Sequence, residues 1–117
     1  PLPAVRLVTV PLPPPLNQMY STARGYIYKT KKCRDWEDEA GMIIKAAHPG
    51  KMIEKPCTVV LYIFVDRPRD IDGSIKIVLD LLERMRIYKN DSLVDKLIVY
   101  KEKDKEFPRI EIEVMGV

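Results

Sequence analysis

The sequence is poor in the residues that most often carry nucleophilic or acid–base catalysis. It has one histidine, His48, and two cysteines, Cys33 and Cys57, among 117 residues. Two cysteines are too few for a disulfide scaffold, so free thiols in a reducing cytoplasm are the simpler interpretation. His48 follows a predicted helix and is best interpreted as a surface residue at the helix end. A serine paired with a general base is not recognisable either. The sequence therefore offers few side chains for acid–base or nucleophilic catalysis.

Long apolar runs are also missing. No run approaches the roughly 20 residues that a membrane-spanning helix needs, and the proline-rich N-terminus has no apolar signal-peptide core. We therefore expect a cytoplasmic protein with no membrane association. Hydrophobic residues make up 46% and charged residues 32% of the chain, a composition that can bury a core. Because internal repeats and low-complexity linkers are absent as well, residues 1–117 are predicted to form a single domain.

The apolar pattern predicts a small α+β domain in the order β-(β)-α-β-α-β-β, with two main helices and a mixed or antiparallel sheet. The strands are expected at 5–10, 26–28 (short and optional), 57–65, 95–101 and 109–115. Thr30 is expected to cap a first helix that runs to Ala47 before Pro49, and a second helix should span 73–86. The prolines of 11–15 predict an extended loop, since proline lacks the N–H.

Two predictions concern how the strands pair and pack. The last two strands, 95–101 and 109–115, are candidates for an antiparallel pair. The run at 57–65 is apolar on both of its faces, so both faces should be covered. One cover is the core of the domain, and the other could be a helix or a partner subunit.

Two acidic residues, Asp70 and Asp72, lie between the apolar run at 57–65 and the second helix. Carboxylates one residue apart in an extended chain point the same way and can share a hard cation such as Mg²⁺. Asp91, in the turn after that helix, is a third candidate ligand if the helix returns it to the same end. Structural roles are open too: Asp72 could cap the helix, and Lys76 could pair with Asp72 or Asp80.

Cations flank these acids, and the mixture suits a phosphodiester substrate. Arg67, Arg69 and Lys76 lie within a few residues of Asp70 and Asp72. Carboxylates bind a metal ion, the ion polarises the phosphate, and arginine or lysine neutralises charge in the transition state. Metal-assisted hydrolysis of a phosphodiester is therefore the chemistry that the available groups fit best.

A second basic segment precedes the first helix. Residues 24–34 carry five cations and no acid, although the net charge of the chain is only +3. Tyr20, Tyr26 and Tyr28 lie in or beside this segment. The segment could be a solvated helix end, or it could contact phosphates while the tyrosines stack on unpaired bases. Packing in the core or at its rim would explain the tyrosines equally well.

Several of these motifs occur together in one known family. The chain has a Pro-Pro-Leu-Asn element at 14–17 followed by Tyr20, then Asp70, Asp72, Lys76, Asp80 and Leu82, then an acidic turn at Asn90 and Asp91 ahead of a strand that ends at Lys101. From about residue 7 to 114 the sequence resembles the RusA-type Holliday junction resolvases, whose central motif is Asp-x-Asp-Asn-x-x-Lys-x-x-x-Asp-x-Leu. Gly73 departs from that motif, because the family has asparagine there.

The resemblance implies an endonuclease of DNA recombination and repair. It would be a homodimer that binds four-way DNA junctions and makes two symmetric nicks with Mg²⁺, or with Mn²⁺ as a substitute. Carried over by position, the metal ligands and catalytic carboxylates would be Asp70, Asp72 and Asp91, and the catalytic lysine would be Lys76. Arg69 would contact a phosphate, and the further candidates for DNA contact are Asn17, Tyr20, Arg24, Lys29 and Arg67.

Two other functions are consistent with the same residues. The chain could bind branched DNA without cutting it, with Gly73 as the sign of a decayed site and the acids in structural roles. Alternatively, residues 11–16 could dock as a proline-rich peptide in an aromatic groove.

Overall fold

The computed structural model describes residues 4–48 and 50–116. Its elements are β1 (Ala4–Pro11), β2 (Tyr20–Ala23), β3 (Tyr26–Lys29), α1 (Lys31–Ala47), β4 (Cys57–Val65), α2 (Ile75–Arg84), β5 (Val94–Lys103) and β6 (Arg109–Gly116), with short 3-10 turns at Leu16–Gln18, Ile71–Ser74 and Asp91–Leu93. The α+β class and the predicted order of elements are confirmed, with β2 as an additional strand. None of the helices in this part of the chain is long and apolar enough to cross a membrane.

Four strands form the main sheet, in the order β1-β6-β4-β5. β4 and β5 run parallel and are connected through α2, whereas β6 is antiparallel to both β4 and β1. The predicted antiparallel pairing of the last two strands is therefore wrong, because β4 lies between them. A helix between two strands returns the chain to the end of the sheet at which the first strand began, and so favours parallel neighbours. That leaves the other edge of β4 for β6.

Both helices pack on one face of this sheet. Their buried side chains meet the inward-facing residues of β4 and β6, and the shared core includes Cys33, Trp36, Ala40, Ile44, Val59, Leu61, Ile63, Val78, Leu81, Leu82, Ile110 and Ile112. The Thr30 side chain accepts a hydrogen bond from the Cys33 N–H and caps α1, as predicted. α1 ends at Ala47, and Pro49 lies outside the described residues. α2 is shorter than predicted, because residues 71–74 form a 3-10 turn instead of its first turn.

The opposite face of β4 is covered in part by its own sheet. The ring of Tyr62 stacks on that of Tyr100 with centroids 5.3 Å apart, and the Arg109 guanidinium lies 3.9 Å from the centre of the Phe64 ring. Val60, on the same face, is buried. These contacts explain why a strand can be apolar on both faces without a helix on each side. A partner subunit on this face remains a prediction.

β2 and β3 form a separate two-stranded hairpin, residues 20–29, which we call the 20–29 hairpin. Its turn places Arg24 at φ 52° and Gly25 at φ 80°. Two successive positive φ angles are the signature of a type I′ turn, which matches the twist of the flanking strands. At its base, the Thr30 N–H donates to the Met19 carbonyl at 2.9 Å, and the Met19 side chain is buried. The hairpin is thus fixed to the domain at one end.

Candidate active site

A pocket of about 590 Å³ opens where the chain passes from β4 to α2. Its lining includes Asp70, Asp72 and Arg69 from that connection and Asn17 from the proline-rich loop. Sequence reasoning had assigned all four to the functional site, and the structure brings them together. Asp70 has extended backbone, as predicted, but Asp72 lies in the 3-10 turn. Both residues face the same pocket even though the extended conformation ends after Asp70.

Within the described residues, the Asp70 and Asp72 carboxylates neither cap a helix nor form an ion pair. Asp70 precedes the 3-10 turn without a side-chain capping bond, and the residue before α2 is Ser74, also without one. The alternative that Asp72 caps the second helix is therefore wrong. Both aspartates are exposed, and neither carboxylate makes a hydrogen bond or an ion pair with any side chain or backbone group that the structure describes. Two open carboxylates in one pocket provide the oxygen ligands that a hard divalent cation prefers.

Asp91 lies away from this pocket. It follows the C-terminal end of α2, whereas Asp70 and Asp72 precede the N-terminal end, and the 10 residues of α2 span about 15 Å. The β4–β5 register agrees, because Val94 pairs with Cys57 at the start of β4 and the Asp70 loop follows its end. Across the described part of the chain, no three metal-ligating side chains of His, Cys, Asp or Glu cluster. One chain therefore brings two of the three predicted ligands together, and ligation by Asp91 stays a prediction.

Lys76 lies in the first turn of α2, just after the pocket. Its ammonium is 3.3 Å from the Asp80 carboxylate, and its side chain is 85% exposed. Of the two partners that the sequence allowed, Asp80 is the one observed. An exposed pair of this kind contributes at most about 1 kcal/mol of stability. The ammonium can therefore leave Asp80 for a phosphate at little cost.

Arg69 connects three parts of the chain around the pocket. Its Nη1 donates to the Pro13 carbonyl at 2.7 Å, and its own carbonyl accepts from Lys101 Nζ at 2.5 Å. Burial lowers the pKa of the guanidinium below its ordinary value, and its buried Nε has no hydrogen-bond partner among the described residues. Arg69 therefore holds the proline-rich loop against the acidic loop, in addition to any phosphate contact. In the sequence, Lys101 marks only the end of a predicted strand, and nothing there indicates its contact with Arg69.

The other predicted DNA contacts differ in how available their charges are. Arg67 is exposed beside Asp66, at 3.8 Å. Lys29 is 2.9 Å from Glu37, and this hydrogen bond raises the pKa of the lysine. Glu37 is buried and also lies 3.4 Å from Arg84. Much of the charge of Lys29 is therefore neutralised within the domain. The burial of Glu37 on α1 is not predicted from the sequence.

Tyr20 and Arg24 lie on the 20–29 hairpin and are exposed, together with Tyr26 and Tyr28. Burial of the tyrosines in the core, one interpretation of the sequence, is wrong for side chains that are 45–76% exposed, whereas packing at the rim of the core is still open. Their contact with DNA stays a prediction.

Gly73 has room for the asparagine of the family motif. A Cβ at this position would lie 3.9 Å from the Leu16 Cβ, which is an ordinary contact, and its φ is not positive. Gly73→Asn should therefore fold normally and raise the free energy of unfolding by about 0.5 kcal/mol, since glycine loses more backbone entropy on folding. Chemical denaturation measures this.

Gly41→Asn is the matched control for that substitution. Gly41 is buried, and a Cβ there would lie 3.2 Å from the Met85 sulfur. We expect this variant to lose about 1–3 kcal/mol through overpacking. Equal destabilisation of the two variants would contradict the open space at Gly73.

Comparison with known proteins is consistent with this site. The family model of endodeoxyribonuclease RusA matches residues 11–115. A crossover junction endodeoxyribonuclease RusA of Aquifex aeolicus (strain VF5) is 28% identical over 107 residues, which cover 87% of this chain and 85% of that protein. The family match includes the proline-rich loop, the 20–29 hairpin and the pocket with its two free carboxylates. The chain therefore belongs to the RusA family of endodeoxyribonucleases, enzymes that cleave DNA.

Proposed function

We propose that this protein is a divalent-metal-dependent endonuclease that resolves four-way DNA junctions by paired, symmetric nicks, as a homodimer acting in recombination and repair in the cytoplasm. The observation that carries the proposal is the pair of uncommitted carboxylates, Asp70 and Asp72, in one pocket of a fold whose family cleaves DNA. The name of the Aquifex relative supplies the crossover junction as the substrate class.

Divalent-metal dependence goes with the family, and we propose Mg²⁺, with Mn²⁺ as a substitute. Asp70 and Asp72 would hold the ion, and the carboxylate-only donor set suits a hard cation. When bound, such an ion supplies polarisation of the scissile phosphate. Among the described residues, no histidine or cysteine lines the pocket, so its donor atoms do not favour zinc.

The chain's own cations would place the DNA strand at this pocket. Lys76, the second residue of α2, can exchange Asp80 for the scissile phosphate and offset charge that develops there in the transition state. Arg67 is exposed and can contact a neighbouring phosphate. Arg69 contributes mainly by keeping Asn17 and the proline-rich loop beside the acids.

A homodimer would supply the third carboxylate. Asp91 lies at the end of the β4–β5 pair opposite to Asp70. If the two-fold axis lies across the strands, it reverses the strand direction between subunits and sets the Asp91 end of one chain at the Asp70 end of the other. We propose that each site combines Asp70 and Asp72 of one subunit with Asp91 of its partner. Two equivalent sites of this kind would cut the two equivalent strands of a junction.

The test uses a synthetic mobile four-way junction and a linear duplex of the same sequences, each with Mg²⁺ or with EDTA. We expect nicks at paired positions on opposite strands of the junction, only with Mg²⁺, and no cutting of the duplex on a denaturing gel. Junction binding in EDTA should fall steeply as salt rises, because phosphate contacts release counterions. Tight junction binding without cutting in either Mg²⁺ or Mn²⁺ would instead favour the DNA-binding module without catalysis.

A further inference from the structure

The 20–29 hairpin exposes large apolar side chains on both of its faces. Its register pairs Thr22 with Ile27 and Ala23 with Tyr26, and neighbouring residues of a strand point to opposite faces. Tyr26 and Ile27, beside the turn, are 76% and 75% exposed. Hairpins in water normally bury one face against the rest of the protein. This one leaves both faces of its tip uncovered by the described residues.

Hydrogen bonds hold the 20–29 hairpin to the domain at its base, whereas the side chains at its tip are exposed. Thr30 bonds to the carbonyls of Gln18 and Met19 at the base, and the Arg34 guanidinium donates to the Lys29 carbonyl at 2.7 Å. Towards the tip, the strands hydrogen-bond only to each other within the described part of the chain. The fold therefore presents two large apolar side chains at the end of an arm about 13 Å long, from four residues per strand.

The charge of the 20–29 hairpin and of the residues after it indicates what kind of partner it binds. From residue 20 to residue 34 the chain carries five cations and no acid. Arg24 occupies the first position of the type I′ turn at φ 52°, where Asn, Asp or Gly is usually preferred. A side chain held in a costly backbone conformation at an exposed tip suggests a functional constraint. An arm with apolar faces and a cationic tip complements a polyanion that can offer unstacked bases.

We infer that the 20–29 hairpin is a wedge that enters the crossover of a four-way DNA junction, where Tyr26 and Ile27 stack against bases and Arg24 contacts a phosphate. Apolar side chains that enter a base stack must unstack it, which costs least where pairing is already interrupted. The wedge would thereby favour branched DNA over linear duplex. This inference rests on the proposed function and assigns the structure selectivity of the enzyme to a segment outside its cleavage pocket.

The experiment compares the parent with Tyr26→Ser/Ile27→Ser on a junction that carries 2-aminopurine beside the crossover, in EDTA so that no strand is cut. The parent should increase the fluorescence as the probe unstacks, whereas the double variant should not. Loss of stacking should weaken junction binding at least about fivefold. Binding to linear duplex should be unchanged, since the duplex offers no open bases. Met42→Ser is the control, because Met42 is 74% exposed on α1, outside the hairpin.

Arg24→Asn gives an independent readout, because it retains a residue suited to the turn and removes only the charge. When the logarithm of junction affinity is plotted against the logarithm of salt concentration, the slope is negative, and we expect it to become less steep by about one. A double variant that keeps both the fluorescence increase and the junction preference would overturn the inference while leaving the nuclease proposal intact. A double variant that changes from dimer to monomer by light scattering would assign the hairpin to the subunit contact and also overturn it. A parent protein that neither binds nor cuts four-way junctions would refute the proposed function itself.

Discussion

Asp70→Asn and Asp72→Asn should each lower the rate of junction cleavage by about 10²-fold or more while leaving junction binding intact or stronger. Loss of a group that stabilises the transition state electrostatically typically has an effect of this size. Removal of one negative charge also reduces repulsion of the DNA backbone, so affinity should not fall. The measurements are single-turnover cleavage in Mg²⁺ and an equilibrium binding titration in EDTA.

The structure makes this prediction sharper than the sequence did. Because neither carboxylate caps a helix or pairs with a cation among the described residues, the amide variants should unfold within about 0.5 kcal/mol of the parent. Glu39→Gln is the matched control, since it removes one exposed negative charge from α1 and should retain cleavage. An equal loss of binding, cleavage and stability in the aspartate variants would mean that these acids are structural.

Mixed dimers should recover activity that neither parent variant has. Asp70→Asn and Asp91→Asn are each expected to be inactive alone. If every site combines Asp70 and Asp72 of one subunit with Asp91 of the other, a mixed dimer has one intact site. Random exchange of equal amounts should then restore about a quarter of the parental active sites, and each mixed dimer should make a single nick.

The control mixture is Asp70→Asn with Asp72→Asn, in which both changes affect the same half of the site. This mixture should stay inactive whether sites are shared between subunits or not. If Asp70→Asn and Asp91→Asn also fail to complement after verified subunit exchange, the shared site is refuted. Asp91 would then have to reach the pocket by a rearrangement within one chain.

Local patterns predicted most of the secondary structure. β4, with eight apolar residues out of nine, and the Thr30 cap of α1 lie where the sequence predicts them, because each depends on neighbours a few positions away. β2 had no such signal, since its residues are mostly exposed and no burial pattern marks it. The position of β5 beside β4 is decided by where α2 returns the chain, which no local pattern contains.

The candidate site divides in the same way. Asp70, Asp72 and Arg69 follow a buried strand and share a pocket because they are close in sequence. The addition of Asn17 depends on the Arg69–Pro13 hydrogen bond between segments 56 residues apart. The distance of Asp91 from the pocket depends on the direction of α2 and the parallel register of β5. The spacing of Asp70, Asp72 and Asp91 along the sequence does not determine whether Asp91 lies at the pocket.

A time course on a supercoiled plasmid that extrudes a cruciform tests paired, metal-dependent cleavage by a dimer. A dimer with two metal-dependent sites cuts both strands during one binding event, so we expect linear plasmid as the first main product with Mg²⁺ and no product with EDTA. Accumulation of nicked circles that become linear only later would contradict paired cleavage by a dimer. An unchanged plasmid in Mg²⁺ and in Mn²⁺, with the cruciform bound, would contradict the assignment of Asp70 and Asp72 as a working nuclease centre.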